Sequence, residues 1–207
     1  MKNEKGFTLV ELMIGLIIFP MIFMSTYLVL TSANVIFQST NAYAQLNMDG
    51  MQLIRSMGRE IGQSSPATSP SHLNLSTGGG NTTARFQIPV DWDNDGDADT
   101  GGLTPSVEWG IYDQVAQLSS GRLDGWGRYS VTGTQLIRDV LDASLNPVAG
   151  LSKVIANNVQ TFTVTQNQET LTITLALQNN DNQGQSGKAR TFRQTFTAKE
   201  SLRNDVA

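Results

Sequence analysis

Most of the chain's candidate metal chemistry lies in one nine-residue stretch, Asp91-Trp92-Asp93-Asn94-Asp95-Gly96-Asp97-Ala98-Asp99. Five carboxylates occupy its alternate positions. Without a counter-charge they repel one another, whereas Ca²⁺ accepts about six to eight oxygens in a flexible geometry. The stretch opens as Asp-x-Asp-x-Asp-Gly, where the Gly permits the tight turn that wraps a chain around an ion. Asp91, Asp93 and Asp95 would ligate through their side chains, Asp97 through its backbone carbonyl, and Asp99 directly or through water. The twelfth position of such a loop is Gly102 rather than a bidentate Glu, and Glu108 is the next acid that would complete the shell. The alternative is a solvated acidic loop that aids solubility. A bound Ca²⁺ would be structural, since little else in the sequence supports catalysis. There is one His, His72, in a polar stretch that reads as a solvated loop, and no Cys. No Gly-x-Ser-x-Gly elbow and no phosphate-binding Gly loop is present, so no catalytic residues and no enzyme are expected.

A second carboxylate is conspicuous for its surroundings. Glu11 lies inside an apolar run from Phe7 to Leu30. As a helix that run covers about 36 Å, enough to cross a hydrocarbon core of about 30 Å. A carboxylate at such a depth costs on the order of 2.5–3.5 kcal/mol, so it normally has a partner and a function. No basic residue lies within the run to supply that partner. Lys2 and Lys5 precede it, and the positive-inside rule keeps them in the cytoplasm, so the remainder is exported. A cleaved secretory signal ending near Thr31-Ser32-Ala33 would need a shorter apolar stretch without a charge.

The residues Lys5-Gly6-Phe7-Thr8-Leu9-Val10-Glu11-Leu12 resemble the processing motif of type IV prepilins and type II secretion pseudopilins. The resemblance implies a cut by a membrane prepilin peptidase between Gly6 and Phe7, with methylation of the new N-terminal Phe7. Glu11 becomes the fifth mature residue, placed to pair with the Phe7 amine of an adjacent subunit as the helices stack. It further implies a single-pass inner-membrane protein with a periplasmic domain. The implied partners are other major and minor pilins or pseudopilins, in a pilus or pseudopilus.

The elements that position these groups follow from periodicity. Ile36, Tyr43, Leu46, Gly50, Ile54, Met57 and Ile61 recur at helical spacing and predict a helix running on to about Ile61, roughly 80 Å from Phe7. Arg55, Arg59 and Glu60 fall to the opposite side. Pro20 removes one backbone hydrogen bond; it would either loosen the membrane half or make a kink that neighbouring helices satisfy. Residues 62–83, with Ser65-Pro66, Ser69-Pro70 and Gly78-Gly79-Gly80, read as a long loop. Strands are expected at 84–88, 106–112, 128–131, 135–140, 159–165, 171–177 and 191–197. The pair at 159–165 and 171–177 alternates apolar residues with Thr or Gln, which gives one core face and one wet face. Gly125-Trp126-Gly127 reads as a turn, with its Trp in hairpin packing or exposed.

The expected fold is α+β and pilin-like: a long N-terminal helix packed on an antiparallel sheet. Its parts are a leader at 1–6, a transmembrane assembly half-helix at 7–30, an amphipathic continuation at 31–62 and an exported β-rich domain at 63–207. Further along, Gln135-Leu136-Ile137-Arg138-Asp139, the run Val154 to Phe162 and the ending Leu202-Arg203-Asn204 are similar to PilW-type minor pilins, and also to J-type minor pseudopilins. That likeness implies a minor subunit that helps initiate or assemble a pilus, with a secretion pseudopilin or a pilus-associated adhesin as alternatives. A net charge of −4 without any cluster of Lys and Arg excludes nucleic acid as an expected partner.

Overall fold

The structure, a computed structural model, describes residues 8–65, 72–90, 107–112, 122–123, 125–181 and 190–202. It is α+β, with one long helix, α1 (Leu9–Ile61), followed by eleven strands among the described residues. In chain order these are β1 (Leu73–Gly78), β2 (Asn81–Phe86), β3 (Ile88–Pro89), β4 (Trp109–Tyr112) and β5 (Arg122–Leu123). They continue with β6 (Gly125–Thr132), β7 (Gln135–Asp142), β8 (Lys153–Ala156), β9 (Val159–Asn167), β10 (Thr170–Asp181) and β11 (Arg190–Ser201). Two compact units divide the chain within the helix: α1 through Ala44 belongs to the first, and α1 from Gln45 belongs with most of the strands to the second.

In the first unit the helix continues through Pro20, and every residue from Thr8 to Leu30 is exposed. Several of its hydroxyls turn back on their own backbone. Ser25 and Thr26 donate to the Ile22 carbonyl at 2.8 and 2.9 Å, and Thr31 donates to the Tyr27 and Leu28 carbonyls at 3.0 Å. Polar groups on an apolar helix are thereby satisfied without water, as a hydrocarbon environment requires.

In the second unit α1 buries Gly50, Ile54, Met57, Gly58 and Ile61, with Leu46 and Leu53 partly covered. The anticipated stripe is therefore packed only from Leu46 onward; Ile36 and Tyr43 are exposed. Strand β11 lies close against this face. The ring of Phe196 occupies the space where a Cβ on residue 50 would be, so only Gly fits there.

A five-stranded antiparallel sheet has the order β1-β2-β6-β7-β8, and a second sheet has the order β11-β10-β9. A smaller sheet, β3-β4-β5, completes the set. Residues 62–83 are not the continuous loop the Pro and Gly content predicted. They contain β1 and the start of β2, joined by Gly79-Gly80 with φ of 58° and 80°. Two successive positive φ values make the turn whose twist matches a β-hairpin. Gly125-Trp126-Gly127 is likewise not a turn: it opens β6, paired with β7, with both Gly buried and Trp126 half-buried.

The core joins helix and sheets through Met57, Ile61, Phe86, Phe162 and Ile173, all fully buried. Each such side chain contributes about 1.5–3 kcal/mol on leaving water. Tyr129 lies between Phe86 and Phe162, stacked on the first at 5.5 Å and edge-on to the second at 6.5 Å. Strict alternation along β9 would put Val159 and Phe162 on opposite faces, yet both are buried. A bulge explains this: Ala176 pairs with Thr161 but Leu177 pairs with Val159, so one extra residue shifts the phase.

Candidate assembly site at the start of the helix

Leu9, Val10 and Glu11 are the first three residues of α1, which makes Thr8 the cap and Glu11 the third helical position. Glu11 Oε2 accepts from the Thr8 backbone N–H and from the Thr8 hydroxyl, both at 2.9 Å. The Glu11 N–H donates back to Thr8 Oγ1 at 3.3 Å, and the helix ladder begins with Leu12 N–H to the Thr8 carbonyl at 3.2 Å. This is a capping box, in which cap and third residue satisfy each other's orphan donors. The carboxylate also faces the positive end of the helix dipole.

Sequence reasoning sought a cationic partner for Glu11 and missed this one, although the signal Thr-x-x-Glu was visible at Thr8 to Glu11. Both bonds the carboxylate accepts go to Oε2, so the second oxygen is not used by the cap. Thr8 and Glu11 both follow the expected cut, so a processed chain would retain the box. Gly6 and Phe7 themselves lie outside the described residues.

At the other end of α1 the structure differs from expectation. Glu60 does not face away from the sheet. Its carboxylate accepts from Arg138 Nη2 at 2.5 Å and from Arg138 Nε at 3.1 and 3.2 Å, and it also accepts from the Tyr129 hydroxyl. Tyr129 and Arg138 are direct cross-strand partners on β6 and β7, so one carboxylate ties the helix end to two strands. Burial, reinforced by the Glu60 charge, pushes the Tyr129 phenol well above its usual range. Burial pulls the Arg138 guanidinium down, but its bonds to Glu60 and that carboxylate's charge outweigh it and hold it above its ordinary value. On the opposite face of the same strands Arg128 makes a two-nitrogen contact with Asp139 Oδ2, at 2.9 and 2.6 Å.

The expected calcium ligands Asp91, Asp93, Asp95, Asp97 and Asp99 lie outside the described residues. The neck of their segment is described: Val90 N–H donates to the Glu108 carbonyl at 3.0 Å, continuing the β3–β4 pairing. Glu108 is buried at that neck. Among the described residues no group of three or more His, Asp or Glu converges to hold a metal. His72 departs from its reading as a solvated loop residue. Its ring stacks on Trp109 at 4.0 Å, its Nδ1 lies 3.0 Å from Gln87 Oε1, and its carbonyl accepts from Ser64 Oγ at 2.7 Å. Gln87 Nε2 in turn donates to the Gly125 carbonyl, so the cluster seals the junction between β1, β4 and β6.

Residues 1–23 match the family model of the prokaryotic N-terminal methylation motif. No curated protein and no solved structure matches the chain. The helix behind the motif is long and apolar enough to cross a membrane, and its most apolar window is not buried anywhere within the chain. A core helix would be covered there; this window is bare. The motif and the bare apolar window together support a type IV prepilin-like reading and fit a membrane-anchored single-pass protein that assembles with other pilins or pseudopilins.

Proposed function

We propose that the protein is a minor pilin-like structural subunit that helps initiate or assemble a type IV pilus, after prepilin peptidase cuts between Gly6 and Phe7. The observation that carries this reading is the exposed apolar part of α1 through Leu30, whose single carboxylate, Glu11, is fixed at its first turn. Insertion buries that helix in the inner membrane with the β domain in the periplasm. Filament growth then exchanges lipid for neighbouring helices. Glu11 serves two partners in this account: Oε2 holds its own helix start, and the second oxygen receives the methylated Phe7 amine of an adjacent subunit. The subunit is structural and has no enzymatic role. The 91–99 segment, closed at its neck by β3–β4 pairing, holds a structural Ca²⁺ that keeps five like charges together. The PilW-like features at 135–139 and 154–162 favour the pilus over the secretion pseudopilus.

Two variants separate the two roles of Glu11. Thr8→Ala weakens the cap, worth about 0.5–2 kcal/mol, and leaves the carboxylate in place. Glu11→Ala removes both, and leaving a buried amine uncompensated costs about 3–5 kcal/mol. Both variants should insert and be cleaved, and Thr8→Ala should co-purify with partner pilins while Glu11→Ala should not. Equal recovery of Glu11→Ala and wild type from membranes would rule out pairing as the basis of assembly.

A further inference from the structure

The sheet β11-β10-β9 turns one face to the core and the other to solvent. On the outer face β9 and β10 set Thr165 opposite Thr172 and Thr163 opposite Thr174 in direct register. Strand β11 continues the pattern. Phe196 is buried and Glu200 meets α1 at Gly58, so the alternate positions, Thr195, Thr197 and Lys199, point outward and are exposed. Arg193 belongs to the same face, where its guanidinium reaches Gln178 Oε1 on β10 at 3.4 Å.

Three properties of this face define what it fits. Its hydroxyls stand in rows about 4.8 Å apart across strands and about 6.8 Å apart along them, and each both donates and accepts a hydrogen bond. It carries no large apolar side chain at its described outward positions, so it lacks the aromatic and aliphatic centre on which stable protein interfaces rest. It carries Arg193 and Lys199 and no described carboxylate, in a chain whose net charge is −4. The acids of this region are placed elsewhere, Glu200 inward and Glu169 in the β9–β10 turn. Two cations are too few for nucleic acid, whose affinity comes from many phosphate contacts. A hydroxyl-rich polymer with spaced carboxylates matches both the hydroxyl rows and the charge.

We propose that the outer face of β9, β10 and β11 binds an acidic polysaccharide. Sugar hydroxyls exchange hydrogen bonds with the Thr rows, and a uronate carboxylate takes the Arg193 fork in place of Gln178, with Lys199 as the second cation. The inference stands independently of the filament reading, since it uses no residue of α1.

The test is binding of the full chain, in detergent micelles, to immobilised hyaluronate, which carries a carboxylate only on alternate sugars, with neutral dextran as comparator. The chain should be retained on hyaluronate and not on dextran, with binding falling as salt rises. Arg193→Gln with Lys199→Gln should weaken binding by about tenfold or more. Thr163→Val with Thr174→Val preserves β-branched shape while removing hydroxyls, and should weaken binding with the melting temperature retained. Absence of binding, equal retention on dextran, or variants that bind as wild type would overturn the proposal. So would variants that change only self-association in sedimentation, which would make the face a contact between copies.

Discussion

Removing Glu60 should be among the most damaging single changes in the second unit. Its carboxylate accepts three contacts from Arg138 and one from Tyr129, and the side chains of Arg138 and Glu60 are only 14% and 21% exposed. In Glu60→Ala the guanidinium stays charged, because Arg does not deprotonate, and it stays in place because cross-strand pairing with Tyr129 fixes its backbone. Breaking one side of such a buried pair costs about 3–5 kcal/mol, a large share of the roughly 5–15 kcal/mol that stabilises a domain. Replacing both charges by apolar groups is a different perturbation. Glu60→Leu with Arg138→Met removes the uncompensated charge along with its partner, and such replacements are often neutral. Urea unfolding of the full chain in micelles, followed by tryptophan fluorescence, would measure single and double variants together. The double variant should be more stable than Glu60→Ala by about 2 kcal/mol or more. A cost below about 1 kcal/mol for Glu60→Ala, or a double variant as damaged as the sum of its singles, would refute this account of the helix end.

Further outcomes follow from the same contacts. Because the Tyr129 phenol is held above its usual range while an unfolded Tyr ionises near pH 10, the unfolded state alone loses this proton first. The contribution is complete below about pH 10 and is lost as pH rises toward the folded value; denaturant titrations across that range should show the loss, and Tyr129→Phe should flatten it. Gly50→Ala places a methyl group against the Phe196 ring and should cost about 1–3 kcal/mol, measured as a lower urea midpoint; an unchanged midpoint would mean that β11 does not press on α1 there. Calcium should raise the melting temperature relative to chelator, and Asp93→Ala with Asp95→Ala should abolish the shift; no shift in the parent would leave 91–99 a charged loop.

The parts of the fold legible in the sequence were those written in one hydrophobic period. The apolar block before Leu30 and the stripe Leu46, Gly50, Ile54, Met57 and Ile61 define α1, and Val164, Ile173 and Leu175 define the sheet core. Strand β1 was hidden because only Leu73 is buried; Ser76, Thr77 and Gly78 are exposed and resemble loop chemistry. The Gly-Gly pair that suggested a loop is the hairpin turn itself. The β9 bulge was invisible because it changes phase without changing composition. At the helix start, Glu11 was recognisable as an anomaly in an apolar run, but its bonds to Thr8 depend on where the helix begins. Glu60 was misplaced because a helical wheel gives an angle and no partner. It sits at the border of the packed face, and Arg138, far along the chain, draws it inward.

The central claim is that this chain is a processed filament subunit, and the most direct test is the N-terminus of the protein made in its native host. Mass spectrometry of that protein should give a chain beginning at Phe7 and carrying one methyl group, and a bulky residue at Gly6 should block the cut. Recovery of the chain only with Met1 intact, or cut after Ala33, would contradict the account.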